Sequence, residues 1–150
     1  MVWCPHNEVM QTEWVCSLLI PSTFMVWFPG VHCDVGGYYK ERGLSDGALQ
    51  WMIHKAESAG VQFKENWQQN VHPDPTAENA LHNSRKGFWK LWKPVSRNIP
   101  EKALVHQSTL DRINADIGYK PKNLIGKTFK KVEQILLTIE RFLHQDYYSS

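Results

Sequence analysis

The stretch TFMVWFPGVHCDVGG (Thr23–Gly37) joins an apolar run directly to a turn that carries one histidine and two consecutive glycines. The run itself, Thr23–Phe28, is rich in β-branched and aromatic residues, and Pro29-Gly30 ends it. A run that is apolar on both faces is typical of a buried strand in an α/β sheet. The stretch therefore predicts an α/β fold in which His32 lies on the loop after a buried strand.

A helix is predicted after this loop. Ser45 offers an N-cap, and Asp46 would lie in the first turn, where the helix dipole favours an acidic side chain. Gly60 suits the position just beyond the end of such a helix. The residues between them are apolar at helical spacing, namely Ala48, Leu49, Met52, Ile53 and Ala56.

Less regular patterns flank this strand, loop and helix. Residues 15–21 could form a short strand that ends at a proline. Residues 71–100 hold four of the eight prolines and predict a long irregular connection. Connections of this length usually have a function or pack on another part of the protein. The aromatic residues that could anchor it are Phe88, Trp89 and Trp92.

Two further helices are predicted towards the C-terminus. Ser108 would cap a short helix, with Asp111 completing a capping box. An apolar stripe that begins with Phe129 and Val132 predicts an amphipathic helix within residues 125–150. One strong strand and about three helices do not make a complete doubly wound sheet, so we expect the chain to form part of a larger α/β architecture.

Composition narrows the class of protein. A chain of 150 residues suits one domain, and 42% hydrophobic with 21% charged residues is typical of a soluble globular protein. The formal charge is only +2 with both signs interspersed, which gives no reason to expect a nucleic acid partner. We expect no transmembrane segment, because no stretch reaches the ~18 apolar residues that span a bilayer, and we find no signal peptide. The three cysteines have no framework spacing and are expected to be free thiols.

Three blocks of sequence together resemble a known family. The first, VWFPGVHCDVGGYYKERGLSDGALQWMIHKAESAG, contains a WFPGVH-x-DVGG string that is too long for coincidence. It is followed, in the same order as in the family, by ALHNSRKGFWKLWKPVSRNIPEKALVHQSTLDRI and YKPKNL. These blocks resemble the α/β-hydrolases that include phospholipase effectors of the bacterial type VI secretion system. The resemblance covers about residues 26–124.

The resemblance implies a partial α/β-hydrolase fold: a late strand, the loop of the catalytic histidine and the following helices, with an incomplete sheet. The implied organisation has three parts. Residues 1–22 match the family poorly, residues 23–124 form the C-terminal part of the catalytic domain, and residues 125–150 form the amphipathic helix. The implied activity is serine-dependent hydrolysis of esters, phospholipids above all, with no cofactor. The implied location is the cytoplasm, or export without a signal peptide.

In that family the histidine of the motif completes a Ser–Asp–His triad, and the matching residue here is His32. The resemblance makes Asp34, Gly36 and Gly37 the supporting loop. Two features depart from the family pattern: no G-x-S-x-G motif precedes His32, since the one such string, Gly43–Gly47, follows it, and Tyr38 replaces a third glycine. In this fold the triad residues occur along the chain in the order serine, acid, histidine. We therefore expect a fragment that carries the histidine without the nucleophile and is inactive alone.

Several alternatives remain open at this stage. His32 could be an ordinary loop histidine, and Asp34 could either orient it or, as we favour, cap exposed loop amides. Cys33 is an unlikely partner for His32, because adjacent residues on an extended loop point apart. The chain could instead be a non-catalytic binding module derived from a hydrolase, docking or self-associating through its terminal helix. A metal site is the weaker alternative, because no C-x-x-C or H-E-x-x-H spacing occurs.

The remaining histidines have no motif around them. His54 is expected to face solvent from the predicted helix. Three more, His72, His82 and His106, are expected to be surface polar residues in or near the irregular connection.

Overall fold

The computed structural model describes residues 9–14, 24–83, 87–91, 93, 96–115 and 117–133. These residues form a four-stranded sheet with helices, which confirms the α/β class. The strands are β1 (Val9–Trp14), β2 (Phe24–Pro29), β3 (Ala103–His106) and β4 (Phe129–Val132). The helices are α1 (His32–Gly36), α2 (Gly43–Ser58) and α3 (Gln107–Asn114), with short 3₁₀ turns at Trp67–Asn70, Glu78–Ala80 and Gly87–Leu91.

The sheet has the order β1-β2-β3-β4. Strands β2, β3 and β4 are parallel, and β1 pairs antiparallel with β2 at one edge. Because parallel strands end at the same edge of a sheet, the residues that follow β2 and β3 are brought to one side of the molecule. His32 follows β2 after Gly30 and Val31, and His106 is the last residue of β3.

Strand β2 is buried on both faces, as its apolar run predicted. Val26 and Phe28 pack with residues of α1 and α2, including Trp51, whose ring meets that of Phe28 edge-on at 5.9 Å between centroids. Trp27 points to the other face and joins a second cluster with Val105 of β3. The alternation of side chains along a strand explains this division. Hydrophobic residues therefore cover the central strand from two sides.

The connection from β2 to β3 contains α1, α2 and a long irregular segment, as the proline-rich sequence predicted. Arg112 of α3 holds this segment in place. Its side chain is only 2% exposed, and its Nη1 atom donates to the carbonyl oxygens of Pro75 at 2.6 Å and Ala77 at 3.0 Å. A charged donor thus satisfies the backbone carbonyl of Pro75 and adds a second hydrogen bond to that of Ala77, which also accepts from the amide of Ala80.

The predicted N-caps of α2 and α3 lie three and two residues too late, respectively. Helix α2 begins at Gly43, and the hydroxyl of Ser45 donates to the carbonyl of Arg42 instead of capping an amide. Helix α3 begins at Gln107, with His106 as its N-cap in place of Ser108. In each case another residue occupies the cap, so the hydroxyl lies inside the first turn. The end of α2 is as predicted, because Gly60 has a positive φ of 91° just beyond the helix.

The expectation of a helix that includes Phe129 and Val132 is wrong. These residues belong to β4, which pairs parallel with β3. A spacing of three residues fits one face of a helix, but pairing with an adjacent strand overrides that pattern here. The rest of the predicted amphipathic helix, from residue 134, lies outside the described residues. So do the possible strand at residues 15–21, Trp92, and the side chains of Phe88 and Trp89.

Candidate functional site

The loop after β2 places His32 at the first position of α1 with its side chain exposed. The preceding residue, Val31, is extended, and its amide donates to Oδ2 of Asp34 at 2.9 Å. Asp34 is 3% exposed, so this bond closes the turn from inside. The interpretation of Asp34 as a cap for loop amides is therefore confirmed, and no hydrogen bond from Asp34 to His32 occurs in the described part of the chain.

Two glycines of this loop have conformations that other residues rarely adopt. Gly37 has a φ of 79° and ends α1. Gly30 has a φ of 114°, and a Cβ built there would lie 2.7 Å from the Cβ of Asp34. Gly36 lies in the helix with nothing within 4 Å of a Cβ. Sequence analysis missed the role of Gly30, although its position after Pro29 at the end of a strand was a signal for a sharp turn.

His82 is tied to the same loop, so its expected surface role is wrong. Its Nδ1 atom lies 2.7 Å from Oδ1 of Asp34, and its amide donates to Oδ2 of Asp34 at 3.3 Å. Its Nε2 atom lies 3.1 Å from Oε2 of Glu41, and its ring stacks on Tyr39 with 3.7 Å between centroids. Both ring nitrogens face carboxylates, which accept but do not donate, so the ring makes both bonds only as the imidazolium.

The His82 contact also affects Glu41. The pKa of this carboxyl is lowered, first by a backbone hydrogen bond and then by the bond from His82. Asp34 thus receives bonds from two segments far apart in the chain, at Val31 and at His82. The carboxylate therefore joins the His32 loop to the irregular connection, and no local sequence pattern could reveal a contact across 48 residues.

His106 is buried rather than exposed, which corrects the sequence expectation. The residue is 2% exposed, and its ring stacks on Phe28 with 4.4 Å between centroids. Its Nδ1 atom accepts a hydrogen bond from the amide of Ser108 at 3.2 Å and lies 2.8 Å from the hydroxyl of that residue. Burial lowers the pKa of His106 to about 4. The imidazole is therefore neutral near pH 7.

A pocket of about 190 Å³ opens beside His106. It lies between the first turns of α2, the segment 73–75 and the junction of β3 with α3. His32 is not among the residues that line it. The structure thus places two features at the carboxyl edge of the parallel strands, the exposed His32 loop and the pocket at His106.

The other histidines and the cysteines add little to this site. His54 is partly exposed and contacts Glu57 at 3.2 Å, and His72 is exposed. Cys33 is a free thiol, whereas Cys4 and Cys16 lie outside the described residues. Across the described ranges, no group of three or more His, Cys, Asp or Glu side chains is arranged to hold a metal ion. None of the helices in that part of the chain combines the length and apolar character that a bilayer crossing requires.

Comparisons with known proteins bear on the His32 loop. Residues 21–55 match the family model described as T6SS, phospholipase effector Tle1-like, catalytic domain. This Tle1-like match includes β2, the His32 loop and most of α2, so it confirms the resemblance for that part of the chain. The matched segment is therefore similar to part of that catalytic domain.

A curated relative and the solved structures complete the comparison. The uncharacterized protein YEL023C of Saccharomyces cerevisiae is 39% identical over a 51-residue alignment, and the match covers 31% of this chain and 8% of that protein. The chain therefore corresponds to a small part of this much longer relative. No solved structure matches.

Proposed function

We propose that this chain carries the acid–base part of a serine-dependent carboxylic ester hydrolase of the phospholipase type, with His32 as general base and acid. The observation that carries the proposal is the position of His32. Its ring is exposed at the carboxyl edge of the parallel strands, inside the segment that matches the Tle1-like catalytic domain. In open α/β sheets, ligands bind at this edge. The assignment of this α/β fold as a partial α/β-hydrolase is part of the same proposal.

The chemistry requires a ring that accepts a proton and returns it. The imidazole of His32 would take the hydroxyl proton of a serine as its oxygen attacks the ester carbonyl carbon. The imidazolium would then give this proton to the departing alkoxide as the ester bond breaks. A water molecule activated in the same way would release the acyl group from the serine. A positioned ring is needed for each transfer, and the bonds of Asp34 to Val31 and His82 fix the loop that carries it.

The nucleophile would have to come from another polypeptide segment, because the one G-x-S-x-G string, Gly43–Gly47, follows His32 and lies at the start of α2. There Ser45 is buried and its hydroxyl donates to the carbonyl of Arg42. We therefore expect the purified chain to hydrolyse no ester by a serine mechanism. Asp34 is committed to the turn and to His82, so the acid of the triad would also come from elsewhere. Phospholipid as the substrate, and export through a type VI secretion system, belong to the proposal through the family match.

The test measures hydrolysis of p-nitrophenyl butyrate with and without a serine-directed phosphonate inhibitor. The chain alone should show no inhibitor-sensitive turnover. Addition of a separately expressed Tle1-like segment that carries G-x-S-x-G should restore turnover. His32→Ala should abolish the restored activity, and His54→Ala, a change to an exposed histidine of α2, should leave it intact.

Two results would contradict the proposal. Inhibitor-sensitive turnover by the chain alone, lost in His32→Ala, would show that the nucleophile is present. Restored turnover that survives His32→Ala would remove the role of this ring.

The second candidate is a non-catalytic module derived from a hydrolase. It is favoured because no G-x-S-x-G motif precedes His32 and the one at Gly43–Gly47 lies at the start of α2. It predicts that the chain binds the added segment without restoring turnover, and that His32→Ala leaves the binding constant unchanged. Isothermal titration of the two pieces, read beside the hydrolysis assay, separates the two candidates.

A further inference from the structure

The pocket beside His106 contains a buried donor with no acceptor. Nδ1 of His106 accepts from the amide of Ser108, so in the neutral ring the proton resides on Nε2. This Nε2 atom is buried and has no hydrogen-bond partner in the part of the chain that the structure describes. A buried polar group without a partner costs about 1–3 kcal/mol, so such a group calls for an explanation.

An adjacent residue of the pocket contains a buried acceptor with no donor. The side-chain amide nitrogen of Gln107 donates to Oδ1 of Asp111 at 2.5 Å, which fixes the orientation of the amide. Its oxygen, Oε1, is buried and also lacks a partner among the described residues. Both His106 and Gln107 line the pocket. The pocket therefore offers one N–H donor and one carbonyl acceptor that this part of the chain does not use.

The charge and shape of the lining restrict what can bind. An anion is disfavoured by the carboxylate of Asp111 and by the carbonyl oxygen of Gln107. A simple cation has no lone pair to accept from Nε2 of His106. Leu44, Pro73 and Pro75 form an apolar wall, against which the carbon skeleton of a ligand can pack. The volume corresponds to roughly six water molecules at ~30 Å³ each, so the ligand, or the part of it that enters, is small. It is also neutral, because the lining disfavours both anions and simple cations.

We infer that this pocket binds a short polyol. A hydroxyl group accepts and donates at once, so one hydroxyl can accept from Nε2 of His106 while others donate to Gln107 and Asp111. The carbon chain then lies against the apolar wall. This site is separate from the proposed esterase role, since His32 does not line it and no covalent step is involved.

The test follows the side-chain ¹⁵N–¹H signal of His106 Nε2 during titration of the intact chain with erythritol. We expect a saturable shift. Under the same conditions 1,2-dimethoxyethane, which accepts hydrogen bonds but cannot donate them, should bind at least about tenfold more weakly, the factor that one lost hydrogen bond produces. Acetamide and acetate serve as a neutral amide and an anion, and both should bind more weakly than erythritol.

Three variants test whether erythritol binds in this pocket. Binding to each variant is measured from the backbone amide signals of the residues that line the pocket. His106→Phe keeps an aromatic ring against Phe28 but removes the donor, and should weaken erythritol binding about tenfold. Gly47→Ala adds a methyl group to the lining, where its Cβ would lie 4.0 Å from the Cβ of Pro73. A helix favours Ala over Gly, so this variant should fold and still bind more weakly. The control His54→Phe changes an α2 histidine outside the pocket lining and should bind as the parent does.

The inference fails if the erythritol shift grows linearly without saturation, or if both His106→Phe and Gly47→Ala bind as tightly as the parent. It also fails if acetate or acetamide binds more tightly than erythritol. If His106→Phe does not fold, Gly47→Ala still tests the inference. None of these results depends on esterase activity, so failure here leaves the role proposed for His32 unaffected.

Discussion

At the scale of single residues, Asp34 organises the loop that carries His32. Its carboxylate accepts from the amides of Val31 and His82 and contacts the ring of His82. The loop can approach this side chain so closely only because Gly30 lacks a Cβ. The buried carboxylate of Asp34 and the absence of a Cβ at Gly30 thus fix the loop that carries the exposed His32.

A comparison of two glycines tests this account. Gly30→Ala should lower the free energy of unfolding by about 2 kcal/mol or more, because the residue has a positive φ and its new Cβ would meet that of Asp34. Gly36→Ala should be neutral or stabilising by up to about 1 kcal/mol, because the site is helical and open. Urea unfolding of both variants measures the difference. Equal stabilities would contradict the proposed packing of Gly30 on Asp34.

Local patterns in the sequence predicted only part of this site. The run before Pro29 was enough to predict β2, and the acid beside glycines indicated an amide cap. The partner of that acid, His82, lies 48 residues away, and a single sequence carries no signal for such a contact. The burial of His106 was also missed, because a histidine at the end of a short strand looks the same whether or not a helix packs over it.

At the scale of secondary structure, helix α3 holds the irregular connection in place. The side chain of Arg112 reaches out of α3 to the carbonyl groups of Pro75 and Ala77, and Pro75 belongs to the wall of the pocket. The N-cap of the same helix is His106, whose ring accepts from the amide of Ser108 in the first turn. One short helix therefore positions both the wall and the polar end of the pocket.

Arg112→Met should destabilise the protein by about 3 kcal/mol, because it removes the charged donor from the carbonyl oxygens of Pro75 and Ala77. The oxygen of Ala77 keeps only its bond from the amide of Ala80. The matched control is Lys131→Met in β4, which removes an exposed pair with Glu133 and should change stability by less than about 1 kcal/mol. Chemical denaturation gives both values. In addition, limited proteolysis should cut Arg112→Met faster near residues 73–77. If Lys131→Met lowers the free energy of unfolding as much as Arg112→Met does, this role of the buried guanidinium is contradicted.

Strand β4 shows why sequence periodicity failed at this scale. Phe129 and Val132 are three residues apart, which fits a helix face, yet both lie in a strand of four residues beside β3. In so short an element the two periods cannot be distinguished, and pairing with β3 decides the outcome.

At the scale of the whole molecule, the sheet combines two clusters of buried side chains. Trp27 belongs to one cluster and Phe28 to the other, so adjacent residues of β2 join both sides of the protein. His106 stacks on Phe28 and therefore touches this shared core. Protonation of His106 should consequently affect the stability of the entire fold.

The stability of the protein should fall as the pH is lowered from about 7 to 4.5. The folded pKa of His106 is about 4, below its ordinary value of 6.5, so the unfolded chain binds the proton more readily. The stabilising contribution is therefore complete above pH 6.5 and is lost as the pH falls towards 4. At pH 4.5 the loss amounts to roughly 2–3 kcal/mol.

The measurement is urea unfolding at several pH values for the parent and for His106→Phe, which has no ionisable ring at this position. The variant should lose this part of the pH dependence, whereas His54→Phe, altered at a partly exposed site, should retain it. Parallel curves for the parent and His106→Phe would show that another group is responsible for acid sensitivity.

The parallel pairing of β2 with β3 has a consequence for synthesis on the ribosome. β2 emerges with apolar side chains on both faces, yet its neighbour β3 does not exist until residues 30–102 have been translated. Contacts between such distant segments form slowly, because the entropy of closing the intervening chain is lost first. During that interval β2 can pair with β1 but not with β3. We expect nascent chains of this protein to bind chaperones until translation reaches β3.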